Sequence, residues 1–137
     1  VNTIQYVTIS SAGNASDFGD LSDTRRSGAG ASSSTRGLIM GGIKSSPTNT
    51  IEYITIANTG NMTDFGDLAN TNYRNTAVTD STTAISIGGD GSDNVMEFVT
   101  IASTGNASDF GDIICSQGET DGGPEDAQST SNCHGGL

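Results

Sequence analysis

Two aspartates three residues apart recur three times in this 137-residue chain, as Asp17 with Asp20, Asp64 with Asp67, and Asp109 with Asp112. Paired carboxylates could act as general acid and base, or hold Ca²⁺ through oxygen ligands. Each pair lies in the same phrase, Ser/Thr-Asp-Phe-Gly-Asp. Recurrence in every copy favours a structural role, with aspartates holding the backbone amides of a turn and glycine supplying an unusual φ. A second oxygen-rich stretch, Gly89-Asp90-Gly91-Ser92-Asp93-Asn94, has donors at alternate positions like the start of a calcium loop. It lacks a closing Glu at the right spacing, so a strand-connecting turn is the simpler reading.

Other chemistry has few residues to work with. The one histidine, His134, cannot by itself build a tetrahedral or tetragonal metal site, which needs several nitrogen or sulfur donors. No Gly-x-Ser-x-Gly elbow accompanies it, so a serine triad is absent. The expectation is therefore no catalytic residue and no cofactor, with Ca²⁺ as the one metal the carboxylates leave open. Cys115 and Cys133, the only cysteines, could staple the segment between them as a disulfide, whereas a reducing site of assembly would leave them as thiols. Asn14, Asn61 and Asn106 each begin an Asn-x-Ser/Thr sequence at the same place in the repeat. They would be glycan acceptors in a secreted eukaryotic chain and plain turn residues otherwise, Gly-Asn being a turn signal in itself.

A net charge of −11 with five Lys and Arg leaves too few cations to neutralise a run of phosphates, so no nucleic-acid partner is expected. No apolar run reaches membrane-spanning length, and no membrane partner is expected either.

What must position these residues is a repeat. Asn2-Thr3-Ile4-Gln5-Tyr6-Val7-Thr8-Ile9 returns as Asn49-Thr50-Ile51-Glu52-Tyr53-Ile54-Thr55-Ile56 and as Asn94-Val95-Met96-Glu97-Phe98-Val99-Thr100-Ile101, with periods of 47 and then 45 residues. Such a period belongs to blade-type or solenoid architectures. Six of the seven aromatic residues occupy two repeat positions, Tyr6, Tyr53 and Phe98 and then Phe18, Phe65 and Phe110, and are read as the repeat core. Each period holds four short apolar or β-branched runs separated by Gly, Ser, Asn or Asp, which predicts four strands. In the first period these cover roughly 4 to 10, 16 to 21, 27 to 33 and 36 to 40. The third run, with Gly28, Ala29, Gly30 and Ala31, has so little side-chain volume that it suits a crowded inner edge. The fourth closes on Gly41-Gly42, and its counterpart closes on Gly88-Gly89.

An apolar strand ending in Gly-Gly, then a strand carrying Tyr and a last strand carrying an aromatic, resembles the kelch family of β-propeller repeats. The matching residues are Gly41 and Gly42 with Tyr53 and Phe65, then Gly88 and Gly89 with Phe98 and Phe110. Phe stands where that family usually has Trp, and the aromatics are more widely spaced. The wording of the repeat is also similar to kelch-type repeat proteins of marine bacteriophages, particularly those infecting cyanobacteria.

The resemblance implies an all-β fold of kelch-like four-stranded blades, as an incomplete propeller or an open blade array. Residues 1–113 would be repeats, with a half blade at 1–21 and blades at about 24–68 and 71–113. The acidic, Gly/Ser-rich tail at 114–137 would be free to close the first blade. Kelch enzymes with a copper and tyrosine radical need His, Tyr and Cys ligands, and sialidase-type propellers need clustered arginines. This sequence offers neither. The implied function is a non-enzymatic virion surface or tail-fibre module, extracellular, that recognises host-cell surface glycan through repeated loops. The alternative is a structural protein, a capsid decoration or filament subunit built by strand pairing between chains. Either reading implies a homo-oligomer or other virion proteins as partners.

Overall fold

Short runs of β-branched and small residues, broken every few positions by glycine or Asn/Asp, favour short strands joined by tight turns. A computed structural model describes residues 1–90 and 94–114, and every regular element in them is a β-strand. Strands β1 (Thr3–Tyr6) and β2 (Ser16–Asp20) form a two-stranded sheet. A four-stranded antiparallel meander follows, made of β3 (Ala29–Ser32), β4 (Arg36–Met40), β5 (Thr50–Thr55) and β6 (Thr63–Asp67). A second meander repeats it with β7 (Thr76–Thr79), β8 (Thr83–Ile87), β9 (Val95–Thr100) and β10 (Ser108–Asp112). Among the described residues none of these sheets closes into a barrel, so the fold is all-β, an incomplete or open array of blades.

The blades meet along their first strands. β3 lies beside β7, and Thr79 Oγ1 donates to the Ser32 carbonyl at 3.1 Å. The small side chains of β3 permit this approach, and Ala29 is buried.

The first predicted strand needs correction. It does not run to residue 10 but stops at Tyr6, and a turn follows in which the Ser11 amide donates to the Thr8 carbonyl at 3.1 Å. The equivalent strands reach Thr55 and Thr100 because an inner strand pairs with their far ends, Arg36 opposite Thr55 and Thr83 opposite Thr100. Among the described residues no such strand flanks β1. Strand length is thus set by the partner as well as by local sequence.

Alternation along the strands gives each sheet two faces. One face of β4–β6 carries Leu38, Met40, Ile51, Tyr53 and Phe65; the face of β8–β9 turned towards it carries Ala84, Ser86, Glu97 and Val99, continued by Ile101. The hydrophobic core is the contact between these faces, joining Leu38, Met40, Ile51, Phe65 and Leu68 to Ala84, Val99 and Ile101. The core therefore lies between blades rather than inside one. Exposure along the array follows. The three equivalent isoleucines are 98% exposed at Ile9, 44% at Ile56 and 1% at Ile101. The equivalent phenylalanines run the other way, 8% at Phe18, 2% at Phe65 and 53% at Phe110.

Candidate interaction surface

The recurring Asp-Phe-Gly-Asp phrase is not a turn. It lies within the outer strands β2, β6 and β10, where the register shifts by one residue opposite the strand carrying Tyr or Phe. This is a β-bulge, and it bends the strand. In the last copy Asp109 Oδ1 accepts from the Gly111 amide at 3.0 Å, so the first aspartate braces the bulge. Gly19 and Gly66 hold φ of 151° and 148°, and a Cβ there would meet the carbonyl oxygens of Gly60 and Gly105 at 2.2 and 2.3 Å. Glycine is required because the next blade's loop sits directly on the bulge.

That loop acts as a clasp. The Gly60 and Met62 amides donate to the Phe18 and Asp20 carbonyls at 2.7 and 2.8 Å, and the Gly105 and Ala107 amides repeat this on Phe65 and Asp67 at 2.8 Å each. The sequon asparagines complete it. Asn61 Oδ1 accepts from the Asp20 amide at 3.0 Å, and Asn106 Oδ1 from the Asp67 amide at 3.1 Å. These residues tie one blade to the next, a role that a turn assignment does not capture.

The glycine pairs serve the inner side of the same junction. Gly41 and Gly42 have φ of 66° and 102°, the Gly42 amide donates to the Asn72 carbonyl at 2.6 Å, and a Cβ on Gly41 would lie 2.4 Å from that oxygen. Gly88 and Gly89 repeat the conformation at 57° and 99°. Asn72 Nδ2 donates to the Gly88 carbonyl at 2.7 Å, so the buried segment around residue 72 threads between the two pairs.

The repeat-core aromatics meet edge to face in each copy: Tyr6 with Phe18 at 6.0 Å, Tyr53 with Phe65 at 5.9 Å, and Phe98 with Phe110 at 6.0 Å. Only Phe18 and Phe65 are buried; Tyr6 and Phe110 are exposed. Reading all six as core therefore overstates it: no described blade covers Phe110, and Tyr6 ends a strand that no described inner strand flanks.

A buried ionic cluster occupies the junction between the first two units. Arg25 Nη2 lies 3.0 Å from Glu52 Oε2, Arg25 Nη1 donates to the Thr50 carbonyl at 3.2 Å, and Ser22 Oγ donates to Glu52 Oε1. Lys44 Nζ stands 3.9 Å from Glu52 Oε1. Burial lowers the pKa of the Arg25 guanidinium below its ordinary value, with the Glu52 charge opposing that shift. At the next junction Glu97, the equivalent of Glu52, accepts from the Ala69 amide at 2.8 Å. The recurring polar residue at positions 5, 52 and 97, inside an otherwise apolar strand, was the available sequence signal for this site.

Beside the end of β9 lies a cleft of about 200 Å³ lined by Phe98, Val99, Thr100, Ser103, Thr104, Gly105, Asn106 and Ser108. It combines an aromatic ring and an aliphatic wall with hydroxyls and an amide. Similar residue kinds return in the other copies, as Tyr53, Thr55, Asn58, Thr59, Asn61 and Thr63, and as Tyr6, Thr8, Ser11, Asn14 and Ser16, where Ala12 stands in place of Thr104. No family model matches the chain, and no curated protein matches it. Among the described residues no three His, Cys, Asp or Glu side chains gather into a group that could hold a metal ion. Gly91, Ser92, Asp93, Cys115, Cys133 and His134 lie outside the described residues, so the calcium-like loop and the disulfide pairing fall outside them too.

Proposed function

We propose that this chain is a non-enzymatic recognition module of a virion surface or tail fibre, extracellular, that binds host-cell surface glycan through its repeated loops. The observation that carries the reading is the cleft beside β9. An aromatic face packs against the C–H groups of a sugar ring, while Thr100, Ser103, Thr104, Ser108 and Asn106 offer donors and acceptors for its hydroxyls. Recurrence of these residue kinds at one place in each copy supports several weak sites, which together raise avidity by orders of magnitude. The phage-like wording of the repeat supplies the setting.

The test is a glycan array of bacterial and cyanobacterial surface sugars probed with the folded protein. The expected result is selective binding that weakens when Ser103 and Thr104 are both changed to Ala. Absence of binding to every such sugar by a folded protein would overturn the reading. A second reading, a structural subunit assembled by strand pairing between chains, draws on the edge of β1, which no described strand covers.

A further inference from the structure

The two junctions inside the chain define what an outer-strand face binds. At each, a Gly-Asn-x loop lays two amides and an Asn side chain on the bulge of the preceding unit, over a buried phenylalanine. The first junction uses only a two-stranded sheet on one side and still buries Phe18. The described residues leave one copy of each half of this pair unused. At the far end of the array, Ile85, Ile87, Met96 and Phe98 are less buried than their counterparts Leu38, Met40 and Ile51 or stand half-open, and Phe110 is exposed. No described Asn side chain reaches the Asp112 amide, and a Cβ on Gly111 would meet nothing closer than Met96 Cε at 4.0 Å. At the near end, Val7 and Ile9 are exposed, and the loop Gly13-Asn14-Ala15 matches Gly60-Asn61-Met62 and Gly105-Asn106-Ala107.

We infer that these are the two halves of a head-to-tail interface: the open face of β9 and β10 takes residues 7 to 15 of a second copy, Asn14 clasping the Asp112 amide as Asn61 clasps Asp20. The internal junctions identify the occupant, because this chain carries the loop that clasps the equivalent bulge twice and the apolar positions that are buried on that face at the second junction as Val99 and Ile101 and lie half-buried and exposed at the first as Ile54 and Ile56. Such an interface is heterologous, so it leaves a free half at each end and propagates into a ring or a filament. It joins sheet faces, and so differs from strand pairing at the edge of β1. It shares Phe98 with the glycan cleft, but the two readings fail separately, since assembly is measured without sugar and the residues altered in the test, Val7, Ile9 and Phe110, do not line the cleft.

The test is native mass as a function of concentration, by light scattering at physiological salt, on the whole chain. The wild type should associate beyond the dimer. A V7K/I9K variant, altered only at exposed positions, and an F110K variant should each remain monomeric where the wild type associates. An equimolar mixture of the two should yield a discrete one-to-one dimer, because each retains one intact half. A wild type that stays monomeric, variants that associate as the wild type does, or a mixture that forms no dimer would overturn the inference. Should F110K fail to fold, hydrogen exchange at the wild-type Asp112 amide decides. Protection that grows with protein concentration supports the interface, and protection independent of concentration contradicts it by placing the cover within the same chain.

Discussion

Ile9, Ile56 and Ile101 stand at one repeat position, yet their side chains have different surroundings, from solvent to full burial. Truncation should therefore have graded effects. Ile101→Ala should lower unfolding free energy by about 2 to 5 kcal/mol through lost burial and the cavity left behind, while Ile9→Ala should change it by no more than about 0.5 kcal/mol. Urea unfolding of the three variants checks the order, with Ile56→Ala in between. The buried pair gives a second prediction. Arg25→Met leaves the Glu52 carboxylate buried beside Ser22 and Lys44, and should cost about 3 to 5 kcal/mol. Replacing both, as Arg25→Met with Glu52→Leu, should recover much of that loss, since apolar side chains of similar volume need no charge partner. A third concerns Asp80, whose Oδ1 accepts from the Thr83 and Thr82 amides at 2.7 and 3.0 Å and from Thr82 Oγ1 at 2.8 Å. These bonds, the Thr83 amide foremost, hold its carboxyl below the usual 3.8. The stabilisation is present above the ordinary carboxylate pKa and is lost as pH falls through the lowered folded value. An NMR titration of the Asp80 carboxyl should give a midpoint below 3.8, and Asp80→Ala should remove the acid-side loss that this turn contributes.

Among the elements, the outer strand and its bulge decide how blades join. Gly66→Ala would drive a Cβ into the Gly105 carbonyl, whereas Gly111→Ala meets open space and bears only the backbone strain of a φ of 131°. Gly66→Ala should therefore lower the thermal midpoint well beyond Gly111→Ala, by a mechanism that adds overpacking to strain. Arg36 makes a related tie, with Nη1 donating to the Ile101 carbonyl at 2.8 Å while its guanidinium lies 4.6 Å from the Tyr53 ring centroid. The strands were legible in the sequence because alternation and glycine punctuation are local signals. The end of β1 was not, because it depends on whether another strand pairs with residues 7 to 10. The clasp was legible only in part. Gly-Asn recurs at 13, 60 and 105, and the outer-strand glycine recurs at 19, 66 and 111, but nothing in either phrase says that they meet.

For the whole molecule, repetition hides what position creates. Tyr6, Tyr53 and Phe98 look alike in sequence, as do Phe18, Phe65 and Phe110, so the core positions could be read but their burial could not. Burial depends on the neighbouring unit, which the repeat itself does not encode. The buried Arg25 was read only as one of five scattered cations, since its partner Glu52 sits in the next sheet. Spacing still holds information beyond the described residues: Gly135-Gly136 follows Gly88-Gly89 by the same 47 residues that separate Gly88-Gly89 from Gly41-Gly42. The account's central claim is that equivalent residues acquire their environment from the adjoining blade. The most direct measurement is residue-resolved hydrogen exchange of the Asp20, Asp67 and Asp112 amides in dilute protein. The Asp20 and Asp67 amides, clasped by Asn61 and Asn106, should exchange slowly and the Asp112 amide fast. Equal protection at all three would contradict it.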